Sequence, residues 1–277
     1  MRIGDLYKPG KTILSLEVFP PKNDSGVSLD GALAEIAQLA PAFVSVTVHA
    51  GGSVDRTSGI AANIQKGFGI PSMAHLTCVN SSRATVRGSL EMIRGRGVEN
   101  ILALRGDPGD GGHTDYRYAS ELVRDIGRYG GFCVGAACYP EGHIDGGGLA
   151  GDIEYLKIKQ DAGVSFLISQ LCFDNGAFFR FLERARAAGI SAPISAGVMP
   201  VLSRGQIEKM IFLCGASLPA RVVRLLHRYQ DDPDGLRKAG TELAAEQVRG
   251  LTEAGVDGVH LYTMNKPEVA EWIFSRR

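Results

Sequence analysis

The chain has no long apolar run, no excess of charge of either sign and no paired cysteines, and each absence removes a class of function. Nowhere do about 18 apolar residues follow one another, and Met1 to Lys11 hold no apolar leader core, so neither membrane spanning nor secretion is expected. The 30 Lys and Arg side chains balance 30 Asp and Glu, which argues against nucleic acid, whose usual footprint is a basic stripe. Cys78, Cys133, Cys138, Cys172 and Cys214 are odd in number, form no Cys-x-x-Cys pair and have no His at zinc spacing; they read as buried, reduced thiols of a cytoplasmic protein. A His-x-His pair is also missing, so no metal is expected at a catalytic centre.

What is present is an alternation of strand-like and helix-like stretches from end to end, the pattern of repeated βα units. Strands are expected at Thr12 to Phe19, Phe43 to Val48, Met73 to Cys78, Asn100 to Leu104, Phe132 to Tyr139, Phe166 to Gln170, Ile194 to Met199 and Gly258 to Tyr262. Helices are expected from a Ser28 cap to Leu39, then at Arg56 to Lys66, Arg83 to Arg94, Ser120 to Tyr129, Asp152 to Ala162 and Asn175 to Ala188, from Arg204 onward, and at Pro267 to Phe274. Ser217 to Glu253 reads as two extra helices divided around Asp231-Asp232-Pro233. Eight such units predict a closed (β/α)8 TIM barrel with extra helices before the last strand, and no linker divides residues 1–277 into two domains.

In such barrels the carboxyl ends of the strands carry the chemistry. Those positions hold Glu17, Thr47, His49, His75, Thr77, Arg105, Asp107, Tyr139, Glu141, His143, Gln170, Tyr262, Asn265 and Lys266. Arg105-Gly106-Asp107 ends the most apolar strand and brings a phosphate-matching cation, a glycine that admits a ligand to the backbone, and a carboxylate into one cleft. Glu17 sits in the apolar run Leu14 to Phe19, which predicts a raised pKa and a general acid near neutral pH. His75 reads equally as a hydrogen-bonded core histidine. Gly146-Gly147-Gly148 leads into the helix carrying Asp152 and Lys159, where an anion would meet free amides, although the run matches neither a dinucleotide fingerprint nor a P-loop.

Leu16-Glu17-Val18-Phe19-Pro20-Pro21, Phe43 to Thr47, Ala74-His75-Leu76-Thr77-Cys78, Leu104 to Pro108, Tyr139-Pro140-Glu141-Gly142-His143, Ser169-Gln170 with Phe173-Asp174, and Tyr262 to Lys266 follow one another in an order and spacing that resembles the methylenetetrahydrofolate reductase family over nearly the whole chain. The resemblance implies a flavoprotein that passes a hydride from NADH or NADPH through FAD to 5,10-methylenetetrahydrofolate. Glu17 would protonate the folate and open its five-membered ring to an iminium, and Asp107 would stabilise that cation and tune the flavin.

For FAD the resemblance implies Thr47, Val48, His49, Ala50, His75, Arg105, Gly106, Asp107, Tyr118, Ala119, Ser120, Tyr139, His143, Asp152 and Lys159, with Arg105 and Lys159 on the phosphates and Asp152 on a ribose hydroxyl. For folate and nicotinamide it implies Glu17, Thr47, Asp107, Gln170, Gln206 and Lys266. The chain departs from the family at Val48-His49, where Tyr-Gly is usual, at Leu171-Cys172-Phe173, at Met210, and at Tyr155, which replaces a smaller polar residue. Two other readings use the same barrel: a flavin-independent folate reductase or one-carbon transferase, and a non-catalytic subunit. The apolar stretch Leu218 to Leu226 could bury a contact in a homo-oligomer or pack on the barrel.

Overall fold

Each strand is short, apolar and followed by a helix, so it can bury both faces only by lying parallel to its neighbours inside a ring of helices. In the computed structural model, which describes residues 1–21, 29–48, 52–107, 114–144 and 146–276, this is what the chain does. The strands β1 (Ile13–Val18), β2 (Phe43–Val46), β3 (Ser72–Thr77), β4 (Asn100–Leu104), β5 (Cys133–Cys138), β6 (Phe166–Leu171), β7 (Ile194–Val198) and β8 (Gly258–Tyr262) pair in chain order, and β8 closes on β1. β4 and β8 keep the expected bounds, β1, β2, β5 and β7 are shorter by one or two residues at an end, β3 lies one residue earlier and β6 runs one residue further. Around the barrel run α1 (Leu29–Gln38), α2 (Val54–Phe68), α3 (Arg83–Gly95), α4 (Ala119–Tyr129), α5 (Leu149–Asp161), α6 (Asn175–Ala187), α7 (Arg204–Cys214), α8 (Ala220–Arg228), α9 (Pro233–Glu253) and α10 (Pro267–Phe274).

The expected Ser28 cap lies outside the described residues. α5 begins a turn earlier than Asp152, because Gly148 with φ of 86° supplies the bend at which the helix starts. Asp232 caps α9 and Pro233 opens it, so the predicted division between α8 and α9 falls at a helix start.

Alternation along the strands sorts the side chains into two cores. Leu14, Leu16, Val18, Val44, Val46, Ala74, Leu76, Ile101, Ala103, Val134 and Ala136 face the helices. Ile13, Phe43, Met73, Leu102, Cys133, Phe166 and Ile168 fill the amino-terminal half of the barrel interior. Gly135 lies under the Phe166 ring, 2.6 Å from where a Cβ would sit, and the missing side chain is what lets that ring enter.

A 3-10 turn, Ile3–Leu6, stoppers the amino-terminal mouth: Ile3 is fully buried in the lower core, and the Tyr7 ring stacks on Phe166 at 5.8 Å. Asn100, buried at the start of β4, holds this stopper. Its Oδ1 accepts the Ile3 amide at 2.8 Å, and its Nδ2 donates to the carbonyls of Met1 and Ser72 at 3.1 and 3.0 Å. Removing one partner of a buried hydrogen bond costs the desolvation of the group left behind. Asn100→Ala is therefore expected to lower the unfolding free energy by about 2–4 kcal/mol, read as an earlier urea midpoint with unchanged slope.

Candidate active site

The polar residues of the interior begin above the apolar layer and rise toward the carboxyl ends of the strands. Glu17, on the inner side of β1, is the centre of this group. Its Oε2 lies 3.5 Å from His75 Nε2 on β3, 3.6 Å from His260 Nε2 on β8, and 3.4 Å from Ser45 Oγ on β2, which donates to it. His260 is fully buried, stacked on Phe43 at 5.7 Å, with Nδ1 2.8 Å from Ser15 Oγ and Nε2 3.2 Å from Ser45 Oγ. His75 Nε2 has no hydrogen-bond partner and faces the carboxylate.

These contacts correct the sequence-based expectation for Glu17. Burial pushes its pKa up, but the imidazoles of His260 and His75 beside it and the Ser45 hydroxyl outweigh it, so the net shift is downward. The apolar neighbours Leu14, Leu16 and Val18 point to the helices and leave the carboxylate among polar groups. Burial lowers the His75 pKa to about 4 despite the attraction of Glu17, with His260 adding to the depression, so His75 is neutral at pH 7.

Between β4, β5 and the starts of α4 and α5 lies a cleft of about 380 Å3. Eight of the residues expected at a cofactor line it: Arg105, Tyr118, Ala119, Ser120, Tyr139, His143, Asp152 and Lys159. Lys159 reaches it from the last turn of α5, with Nζ 2.8 Å from the Ala137 carbonyl and 5.8 Å from the centre of the Tyr139 ring. Burial lowers the Lys159 pKa, and the neighbouring Arg105 adds to this; Cys138 and Asp152 pull the other way. Tyr139 meets His143 edge-on at 4.7 Å, and burial raises its pKa to about 12. The Asp152 carboxylate accepts the His143 amide and so fixes the glycine-rich loop. At the mouth, Tyr155 stacks on Tyr118 at 5.5 Å, with Arg117 over the Tyr118 ring.

The remaining expected residues are distributed around these two groups. Gly106, at φ of 86°, packs its backbone against Thr77 and Val79, and Asp107 is exposed at the rim, where its charge is felt by Tyr139 and Cys214. Thr47 and Val48 follow β2 and are half-buried; His49 and Ala50 lie outside the described residues. Gln170 sits at an irregularity in the β6 to β7 pairing and accepts the Leu171 amide at 2.9 Å. There the Ser169 carbonyl is taken by the Tyr262 hydroxyl at 3.0 Å, and Gly197 leaves room for that phenol ring. Gln206 turns its amide onto the backbone of Leu202 and Pro200 at 3.0 and 3.3 Å, which fixes the start of α7. Lys266 caps α10, and Asn265 ties the β8 end to Phe19 through two hydrogen bonds of 3.0 and 2.8 Å.

Sequence reading missed Ser15, Ser45 and His260. Their signal is parity: Gly258, His260 and Tyr262 alternate with Val259 and Leu261, so His260 shares an inward face with Tyr262. Among the described residues, no three His, Cys, Asp or Glu side chains are arranged to hold a metal ion, and no helix is long and apolar enough to cross a membrane.

A half-buried carboxylate with two histidines, and a cleft lined by two cations, stand toward the carboxyl ends of the strands, the end at which TIM barrels carry their chemistry. The family model described as methylenetetrahydrofolate reductase matches residues 2–277, and the chain belongs to that family. It is 32% identical to 5,10-methylenetetrahydrofolate reductase of Escherichia coli over 263 residues, covering 94% of this chain and 89% of that protein. It is 36% identical to methylenetetrahydrofolate reductase 1 of Schizosaccharomyces pombe and 34% identical to methylenetetrahydrofolate reductase (NADH) 1 of Arabidopsis thaliana, covering 96% and 95% of this chain. The chain spans about half the length of these two eukaryotic relatives, 46% and 48%. A Clostridium thermocellum protein described as binding two copies of 5-methyl-5,6,7,8-tetrahydrofolic acid shares the fold, with a TM-score of 0.68 at 15% identity over 96% of this chain and 94% of that one.

His75 links the site to stability. In the unfolded chain it takes up a proton around pH 6.5, in the barrel only near 4, so unfolding binds a proton within that window and stability falls as pH drops through it. Between pH 7 and 5 this loss is expected to be roughly 1–2 kcal/mol, and His75→Gln is expected to remove it, as measured by urea unfolding at the two pH values.

Proposed function

We propose that the chain reduces 5,10-methylenetetrahydrofolate to 5-methyltetrahydrofolate with NADH or NADPH, using FAD held in the cleft at the ends of β4 and β5. The observation that carries this reading is the presence in one barrel of two features: a carboxylate set among proton-holding groups on β1, β2, β3 and β8, and a cleft at the ends of β4 and β5 lined by two cations. Burial disfavours the Lys159 charge, and Arg105 in the same cleft adds a smaller push in that direction. A diphosphate between them would offset that push, so the residues fit a dinucleotide cofactor.

Arg105 and Lys159 would hold the phosphates, while Tyr118, Ser120, Tyr139, His143 and Asp152 would line the rest. When bound, flavin supplies the hydride carrier between nicotinamide and folate. The chain's own residues do the proton and charge work. Glu17 gives a proton to the leaving nitrogen of the folate's five-membered ring, and Asp107 stabilises the iminium cation that results. Gln170, Gln206 and Lys266 orient the folate, Gln170 through an amide that both donates and accepts. The names of relatives carrying NADH and NADPH, and the folate-binding neighbour of the same fold, support this reading.

The test is an absorption spectrum of the purified protein with added FAD, followed by anaerobic NADH and then methylenetetrahydrofolate. A flavin spectrum bleached by NADH and restored by the folate is expected; with no flavin taken up, the flavin-independent reading replaces it. In Glu17→Gln, bleaching by NADH is expected to persist while folate-driven reoxidation slows by at least about 100-fold, the usual scale of a lost general acid.

A further inference from the structure

We propose that the proton Glu17 delivers is stored on His260 and reaches the carboxyl group through the Ser45 hydroxyl, making Ser15, His260 and Ser45 a proton relay inside the barrel. The inference rests on the reading of Glu17 as the acid of a folate reductase, and it begins from a difficulty in that reading. A carboxylate surrounded by donors holds its proton poorly, so Glu17 needs a source for the proton it gives away.

Hydrogen-bond bookkeeping around His260 identifies the source. Ser15 Oγ lies 3.2 Å from the Val259 carbonyl and 2.8 Å from His260 Nδ1; donating to the carbonyl, it offers Nδ1 a lone pair. In that arrangement Nδ1 carries hydrogen, and the proton that comes and goes is the one on Nε2. Nε2 faces Ser45 Oγ at 3.2 Å, and Ser45 Oγ faces Glu17 Oε2 at 3.4 Å. With the proton on His260, Nε2 donates to Ser45 and Ser45 donates to Glu17. With the proton on Glu17, the carboxyl donates to Ser45 and Ser45 donates to Nε2. The two arrangements differ by two short hops and need no movement of a ring.

In the reaction the Nε2–H bond breaks as a new bond to Ser45 Oγ forms, the original Ser45 proton passes to Glu17, and the carboxyl proton passes to the ring nitrogen. One proton leaves His260 and one arrives on the folate, with no change of oxidation state. Water entering the cleft after product release recharges the relay through Glu17, because His260 itself is fully buried. The groups facing His260 suit this role. Phe43 stacks on one side, the Tyr262 ring meets it edge-on at 5.6 Å, and Glu17 is the acid in contact. His75, on the opposite side of Glu17, is the neutral histidine of the pair, since burial and His260 both act against its charge.

The relay is tested by NMR of the protein labelled with 15N-histidine, assigned with His260→Asn and titrated in wild type, Glu17→Gln and Ser45→Ala. In Glu17→Gln the Nε2 titration of His260 is expected to move down by at least about one pH unit, because its proton loses the partner that shares it. An unmoved midpoint overturns the proposal. The second arm compares folate turnover at the pH optimum. Ser45→Ala is expected to lose at least about 10-fold and to shift the pH profile, while Ser45→Thr, which keeps the hydroxyl, recovers most of the loss. Equal losses in both variants would overturn the relay. If wild type has no folate turnover but the histidine titrations are coupled as described, the reductase reading fails and the proton-sharing pair stands.

Discussion

The arrangement at the centre of this barrel follows from one requirement: a carboxylate held away from bulk water must be compensated by groups the fold itself supplies. Glu17 draws on three other strands to meet it, with Ser45 from β2, His75 from β3 and His260 from β8. None of these strands could shift by one residue without turning its polar group out toward the helices, so the charge fixes the register of the barrel as firmly as the apolar layers do. The same requirement brings two histidines, His75 and His260, within reach of one carboxylate.

The cleft at the ends of β4 and β5 meets the opposite problem. Arg105 and Lys159 are cations that line one cleft with Asp152, and the Asp152 carboxylate also holds the loop that shapes it. A site left with an electrostatic imbalance binds a ligand of the missing sign, and its residues are tuned for the complex more than for the empty fold. Tyr155 adds an aromatic surface at the entrance, stacked on Tyr118.

Much of this was legible in the sequence. The strand order follows from eight apolar runs closed by turn residues, and even the break before Pro233 was readable, because a capping Asp and a proline mark a helix start locally. The cleft was readable for a related reason: its residues follow strand ends one after another along the chain. The compensation of Glu17 was not. Its partners stand 28, 58 and 243 residues away, reading off their numbers, and nothing near Leu14 to Phe19 announces them. Judged by its neighbours in sequence, Glu17 seemed to sit in an apolar wall; in a strand those neighbours belong to the other face. The local bonds of Gln206 were also out of sight in the sequence, since only the fold reveals that its amide closes on its own turn.

The stopper at the amino-terminal mouth has a consequence for traffic. With Ile3 and Tyr7 seated on Phe166 and the first turn fastened to Asn100, the lower half of the barrel is filled and the route through it is shut. Whatever reaches Glu17 from solvent enters at the carboxyl-terminal mouth and leaves by it.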